Sequence, residues 1–393
     1  MVAQKNTSSE HYMLKGSLRK KGFDRWRLVT VGRETETGEE RVFFIEFYIV
    51  NPLLSPEECV LGFKSRVSIN TEEDLHAALA GTASVKKIKS EELVQPSFAM
   101  VRAGYLTTNG RQINGYFPSN QIQTGKTDLL VKVGTDESNY CSLTTSSTYG
   151  TVSVSLEEAN EQPELLSHSG KISWNLHYAR KLSFSPDLKT SAYTWAVNGA
   201  YTEFEGKIIY NMHEYVVTPE KSFGYIDKMW GHEPPSPFFH LHSSNLTSII
   251  NGKKLDNSCF VVQGEYNSSL SVLLSLNGKD VTFNASKAKG YEINYGFSQM
   301  PDDEDGVKYH WSVSVSNRSY VVDIDAYCDT KAMFLRDYEC PDGNRKVLRL
   351  AGGGTGTGEL RLYKKIRKNL ELIEQVHVAN IVCEYGNIEL PPQ

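Results

Sequence analysis

The stretch Val42-Phe43-Phe44-Ile45-Glu46-Phe47-Tyr48-Ile49-Val50 decides the fold class. It is built almost wholly of aromatic and β-branched residues, which fit a pleated, half-buried surface, and it carries one carboxylate at its centre. Runs of the same kind recur at 25–31, 97–105, 128–133, 150–156 and 171–178. They continue at 192–197, 207–210, 259–266, 269–276, 280–284, 291–297, 307–316, 319–326, 346–350, 359–364 and 377–384. Between them lie Asn109-Gly110, Asn198-Gly199 and Asn277-Gly278, pairs that supply the positive φ of tight hairpins. A strand about every 10–15 residues, joined by hairpin turns, predicts an antiparallel sandwich or barrel. One segment reads as a helix: Asn70 or Thr71 caps residues 72–79, with acidic residues in the first turn, where the helix dipole favours them. Residues 365–375 are an ambiguous second candidate.

At 393 residues the chain is longer than a usual single domain, which predicts two. The strand pattern breaks near 182–188, at Ser183-Phe184-Ser185-Pro186-Asp187, so the expected domains are 1–188 and 189–393. Hydrophobic residues at 39% and charged residues at 23% are ordinary for a soluble globular protein. A formal net charge of −5 gives no electrostatic case for nucleic acid or an anionic membrane as partner. Residues 1–9 are polar and hold no apolar run that could serve as a signal. No stretch reaches the roughly 18–20 apolar residues of a membrane-spanning helix. These features predict a cytoplasmic protein. The six cysteines, Cys59, Cys141, Cys259, Cys328, Cys340 and Cys383, are then expected to be free thiols.

The segment Phe223-Gly224-Tyr225-Ile226-Asp227-Lys228-Met229-Trp230-Gly231 is followed by Pro234-Pro235-Ser236-Pro237-Phe238-Phe239-His240-Leu241-His242. An acid, a base, an indole and a glycine stand against a Pro-rich turn that enters an aromatic strand with two histidines. This pattern resembles the tocopherol cyclase family, which is related to the carotenoid hydratases of the lipocalin-like superfamily. Tyr225, Asp227, Lys228, Trp230, Gly231, Pro235 and Phe239 match the family's motif positions. His11-Tyr12-Met13-Leu14-Lys15-Gly16 with 43–52 is similar to its opening hairpin, and 352–358 with Leu360-Arg361-Leu362-Tyr363 to its closing glycine-rich turn and strand. Where the family has Asn before Trp, this chain has Met229, and the next strand carries His240, His242 and Ser244. The resemblance implies an all-β protein of two lipocalin-like barrels with little helix. It also implies a pocket in or between them, and cofactor-free cyclase, isomerase or hydratase chemistry on a lipophilic terpenoid or polyene.

Protonating an alkene needs a carboxylic acid kept neutral by apolar surroundings. Glu46 fits that need, on one strand face with Phe44 and Tyr48; the plainer reading points it to solvent. Asp227 competes for the role or serves a structural ion pair with Lys228, although neighbours on a strand face apart. Trp230 and Gly231 read as an indole plug with a close-approach glycine, or as pocket wall. His240 and His242 share a strand face. They are candidates for proton transfer or for hydrogen bonding in a pocket, and with Glu233 or His232 for a zinc site. Strand alternation turns either this pair or Phe239 and Leu241 toward a cavity. The expected catalytic set is Glu46, Asp227, His240 and His242, and the expected substrate contacts are Tyr48, Tyr225, Lys228, Trp230, Glu233 and Phe239. The run at 352–358 lacks the phosphate-loop pattern and reads as a flexible turn, and Asp302-Asp303-Glu304-Asp305-Gly306 lacks calcium-loop spacing. No cofactor is therefore expected. Two functions stand: a cofactor-independent enzyme on a lipophilic small molecule, or a carrier of such a molecule without chemistry.

Overall fold

The computed structural model describes residues 10–62, 73, 77, 79–80, 94–135, 139–266, 268, 270–285, 292–301, 306–342 and 347–388. Almost all of the regular structure is antiparallel β, gathered into two sheets. The first contains β1 (Phe23–Glu34), β2 (Glu40–Val50), β3 (Phe98–Tyr105), β4 (Arg111–Phe117), β5 (Ile122–Thr124), β6 (Leu130–Val133) and β7 (Cys141–Thr144). It continues with β8 (Ser147–Val154), β9 (Gly170–Leu182), β10 (Leu188–Lys189), β11 (Tyr193–Tyr210), β12 (His213–Val217) and β13 (Gly224–Gly231). The second contains β14 (Phe238–Ser243), β15 (Asn245–Ser248), β16 (Cys259–Glu265), β17 (Leu270–Leu276), β18 (Lys279–Ala285) and β19 (Glu292–Gln299). It ends with β20 (Lys308–Ser316), β21 (Tyr320–Asp329), β22 (Phe334–Glu339), β23 (Val347–Ile366) and β24 (Asn369–Gly386).

Each sheet curls around its own apolar core. Phe43, Ile45, Phe47 and Ile49 of β2 point into the first, with Trp26, Val101, Trp174 and Phe204. Phe239 and Leu241 of β14 point into the second, with Phe260, Trp311, Leu360 and Val378. The other faces of β2 and β14 meet each other's sheet. Two further apolar clusters draw on both sheets: Phe23, Tyr48, Trp195, Phe238 and Tyr338 in one, and Val29, Phe44, Tyr225, Val261 and Val382 in the other. A strand buried on both faces has no polar side, so β2 shows no alternation of polarity and Glu46 cannot point to solvent.

Several expectations change. The break at 182–188 is only the connection between β9 and β11 of the same sheet, and the sheets divide between Gly231 and Phe238. Sequence pattern marks where a strand stops, not which sheet the next one joins. Asn109-Gly110 and Asn277-Gly278 are tight turns with positive φ at Asn109 and Asn277, but Asn198-Gly199 lies within β11. There the register against β13 shifts on both sides of Gly199, and an added Cβ would stand 2.3 Å from Thr202 Oγ1. The glycines at 352–358 form the middle of β23 rather than a turn, because crossing backbones and side chains leave no room for a Cβ. Residues 365–375 belong to the β23–β24 hairpin. Of the expected helix, Asn70, Thr71 and Glu72 lie outside the described residues; Glu73 and Leu79 are helical. Asp302, Asp303, Glu304 and Asp305 also lie outside them. A short helix, Leu156–Glu161, begins with a Ser155–Glu158 capping box, the S-x-x-E signature of a helix start.

Gly358 offers a direct check on this packing. A Cβ there would lie 2.0 Å from the Asp325 carbonyl oxygen, which is backbone and cannot step aside. Gly358→Ala is expected to lower unfolding free energy by about 1–3 kcal/mol; an unchanged urea midpoint would contradict the β21–β23 register.

Candidate active site

The face of the first sheet that meets the second carries a cross-strand row of charges. Arg102 of β3 pairs with Glu46 of β2, Glu46 with Arg27 of β1, and Arg27 with Asp227 of β13. On the facing strands of the second sheet His240 of β14 pairs with Glu384 of β24, and Glu384 with Gly352 of β23. Gly352 leaves space that Arg336 of β22 enters: a Cβ at 352 would be 2.8 Å from Arg336 Nη2 and 3.3 Å from Glu384 Oε1.

The two faces join in one chain of alternating sign. Arg25 Nη2 lies 3.1 Å from Asp227 Oδ1, and Arg27 Nη2 lies 3.0 Å from Asp227 Oδ2. Arg27 Nη1 and Arg336 Nη2 each donate to Glu384. Arg336 Nη1 reaches Glu46 Oε1 at 3.3 Å, and Arg102 Nη1 stands 3.7 Å from Glu46 Oε2. The order is Arg25, Asp227, Arg27, Glu384, Arg336, Glu46, Arg102, and none is more than 3% exposed. Neutral donors complete the carboxylates. Tyr338 donates to Glu46 at 2.7 Å, and Trp195 Nε1 and the Tyr225 hydroxyl donate to Asp227 at 3.0 and 3.1 Å.

Glu46 therefore does not sit in the apolar pocket that would keep it protonated. Burial alone would raise its pKa, but Arg336, Arg102, Arg25 and Arg27 outweigh that and hold it below the ordinary value. Burial pushes the phenols of Tyr225 and Tyr338 up, so both remain hydrogen-bond donors. At Arg336 burial prevails over Tyr338 and Glu46, with Arg27 and Arg102 adding to it, and the guanidinium pKa falls.

The histidines are fixed by their partners. His240 Nδ1 is 2.9 Å from the Val262 carbonyl, which only accepts, so Nδ1 carries the proton. His240 Nε2 is then an acceptor, and it lies 2.7 Å from Arg27 Nη2 and 2.9 Å from His242 Nδ1. His242 must donate from Nδ1, which leaves its Nε2 as a bare lone pair, buried and without a hydrogen-bond partner among the described residues. The His242 ring stacks on Tyr225 at 3.7 Å and 16°, and its cross-strand neighbours are Val261 and Val382. Burial first, and the Arg27 charge second, lower both imidazole pKa values well below the ordinary one.

Of the residues expected from sequence, Glu46, Asp227, Tyr225, His240 and His242 meet here. Tyr48 borders the cluster, its hydroxyl donating to the Glu339 carbonyl at 2.6 Å and its ring edge-on to Tyr338. Lys228 and Trp230 do not: β13 turns them to the opposite face, where Lys228 pairs with Asp24 at 3.0 Å and lies 4.1 Å over the Trp26 ring. Phe239 faces the second core, stacked on Tyr266. Glu233 is exposed on the turn after β13. Sequence reasoning missed Arg25, Arg27, Arg102, Arg336, Glu384, Trp195 and Tyr338. The available signal was an isolated charge inside an apolar strand, as at Arg102 in Phe98–Tyr105 and Glu384 beside Cys383 and Tyr385; such a charge is almost never fully buried unless paired.

A scan of protein-family profiles found no match, and a search of curated protein sequences found none. Solved structures give distant likenesses only. An AttH-designated protein of Nitrosomonas europaea is similar at 10% identity and a TM-score of 0.43, over 96% of this chain and 97% of that one. Kievitone hydratase of Nectria haematococca is similar at 9% identity and a TM-score of 0.39, over 97% of this chain and 94% of that one.

Two outcomes follow from the charges. Glu384→Gln leaves Arg27 and Arg336 short of a counter-charge and is expected to cost about 3–5 kcal/mol of stability, read by urea unfolding; a loss below 1 kcal/mol would mean the pairs do not form. The histidines take up protons in the unfolded chain near the ordinary pKa but in the folded chain only far below it. Their contribution is thus complete above about pH 6.5 and declines as pH falls, by up to about 1.4 kcal/mol per pH unit for each. Between pH 7.5 and 5.5 the wild-type protein should lose stability more steeply than His242→Gln, and parallel profiles would refute the buried neutral imidazole.

Proposed function

We propose that the chain is a cofactor-independent proton-transfer enzyme of isomerase, cyclase or hydratase type, acting on a lipophilic small molecule at the seam between the two barrels. The observation that carries this reading is the unpartnered Nε2 of His242, a neutral base with an assigned tautomer, on a residue whose cross-strand neighbours are Val261 and Val382. An orphaned buried acceptor is costly unless it bonds something. A C–H or O–H of a bound molecule is a suitable donor.

The electrostatics select the kind of intermediate. A chain with four guanidiniums and three carboxylates opposes a carbocation and stabilises an oxyanion, as fixed donors do in oxyanion holes. Alkene protonation by Glu46 is accordingly replaced by proton abstraction at His242. The substrate's C–H or O–H bond passes its proton to Nε2 and keeps the electron pair, as an enolate or phenolate. In an isomerisation the proton on Nε2 exchanges with solvent and one is returned to a different carbon. The His242 Nδ1–H···Nε2 His240 bond holds the ring in the accepting orientation, and Tyr225 fixes its plane.

The test uses lipophilic molecules that copurify with the protein, identified by mass spectrometry and returned to it in D2O. Wild-type protein is expected to place deuterium at a carbon of the ligand, and His242→Gln to reduce the rate by about 10²-fold or more. A ligand recovered without label from the wild-type protein would support the carrier reading and end the enzymatic one.

A further inference from the structure

We propose that the end of the second barrel formed by the β15–β16 turn and the β23–β24 hairpin docks on the anionic face of a lipid bilayer. This goes beyond the chemistry at His242 and stands without it. Thirteen large hydrophobic side chains are exposed among the described residues, and five of them, Ile249, Ile250, Ile366, Leu370 and Leu372, lie on these two segments. The segments adjoin. β15 pairs with β24 as far as Ser248 and Val376, and the Ile249 amide donates to the Gln375 carbonyl at 2.7 Å. Past that bond β24 runs six more residues to Asn369, paired among the described residues only with β23. At about 3.3 Å per residue this makes a ledge of ~20 Å. Tyr363 with Leu372 and Lys365 with Leu370 are register pairs, so the two leucines share one face of the ledge. Ile249 and Ile250 stand at its foot.

The same segments carry Lys253, Lys254, Lys364, Lys365, Arg367 and Lys368. Two neighbouring turns at this end add Arg318 and Lys279. The Lys365 amide donates to the Ser319 carbonyl at 2.8 Å, Tyr320 pairs with Lys364, and Lys279 Nζ lies 4.7 Å from the Tyr320 ring centroid. Three acidic residues, Asp256, Asp280 and Glu371, share these turns; Glu40 and Lys221, both near Lys254, offset each other. A local excess of positive charge is thus concealed by the whole-chain value of −5. Exposed aliphatic side chains ringed by Lys and Arg match the boundary between acyl chains and anionic headgroups. A single-stranded nucleic acid would call for exposed aromatic platforms between the cations, and Tyr320 and Tyr363 are half-buried. A second copy would set the same positive charge against itself. Lys254 also ties this end to the seam: its Nζ lies 4.1 Å from the Phe223 ring centroid, and Phe223 packs against the cluster containing Val261 and Val382. Docking here turns that border of the seam toward the bilayer.

The full-length chain is tested by sedimentation with vesicles of phosphatidylcholine alone and with about 30% phosphatidylserine. Wild-type protein is expected to bind the anionic vesicles about tenfold or more tightly than the neutral ones, a preference that falls as salt rises from about 0.1 to 0.5 M. The combined variant Lys253→Glu, Arg367→Glu, Lys368→Glu should lose that preference. Ile250→Ser with Leu370→Ser should weaken anionic binding about tenfold. Both variants should keep the wild-type urea midpoint, because all five side chains are exposed. Ile250→Trp, after subtraction of the wild-type emission, should shift to the blue on anionic vesicles and be quenched by lipids brominated near the headgroup end of the acyl chain. Equal binding to both vesicle types, no binding to either, or a preference that survives the charge variant would overturn the inference. So would undiminished binding by the Ser variant. Single-stranded RNA bound more tightly than anionic vesicles would assign the surface to nucleic acid, and a lipid-free dimer dissociated by the Ser variant would assign it to a second copy; either result overturns it. None of these outcomes bears on deuterium exchange at His242.

Discussion

Glu384 is the carboxylate on which the two sheets depend. It receives Arg27 from the first sheet and Arg336 from its own, and through them the row on β1, β2, β3 and β13 is tied to β14, β22 and β24. Buried ion pairs seldom add much net stability, since desolvation offsets their attraction, yet removing one partner is expensive. Their effect on the fold is selective. Apolar surfaces slide over one another at little cost, whereas a sheet displaced by one residue here would strand arginines and carboxylates without counter-charges. The apolar clusters on either side of the chain supply the burial, and the charges fix the docking.

That arrangement also governs chemistry. The same guanidiniums that fix the docking hold Glu46 ionised, and they add to the burial that keeps the histidines neutral. A site of this kind disfavours a cation beside it and favours an oxygen anion facing the guanidiniums. Glycine contributes by its absence of bulk: Gly352 admits Arg336 to the chain, and no other residue would leave that opening beside Glu384.

The sequence by itself determined the fold class, the strand-rich organisation and the face that His240 and His242 share, because these depend on local composition and on the two-residue period of a strand. It also brought Tyr225 and Asp227 forward together, and they do meet the histidines. Tertiary structure alone decided which charges meet. Arg27 and Glu384 are 357 residues apart, and Arg336 and Glu46 are 290 apart, so no local pattern links them. Glu46 looked like a neutral acid because its strand is apolar; its pKa is set instead by arginines from three other strands. Lys228 looked like a partner of Asp227 because it is adjacent, and the pleat turned it away. The sheet boundary was illegible for the same reason. β11 pairs with β9 and β10 before it and with β12 and β13 after it, and composition does not encode which sheet a strand enters.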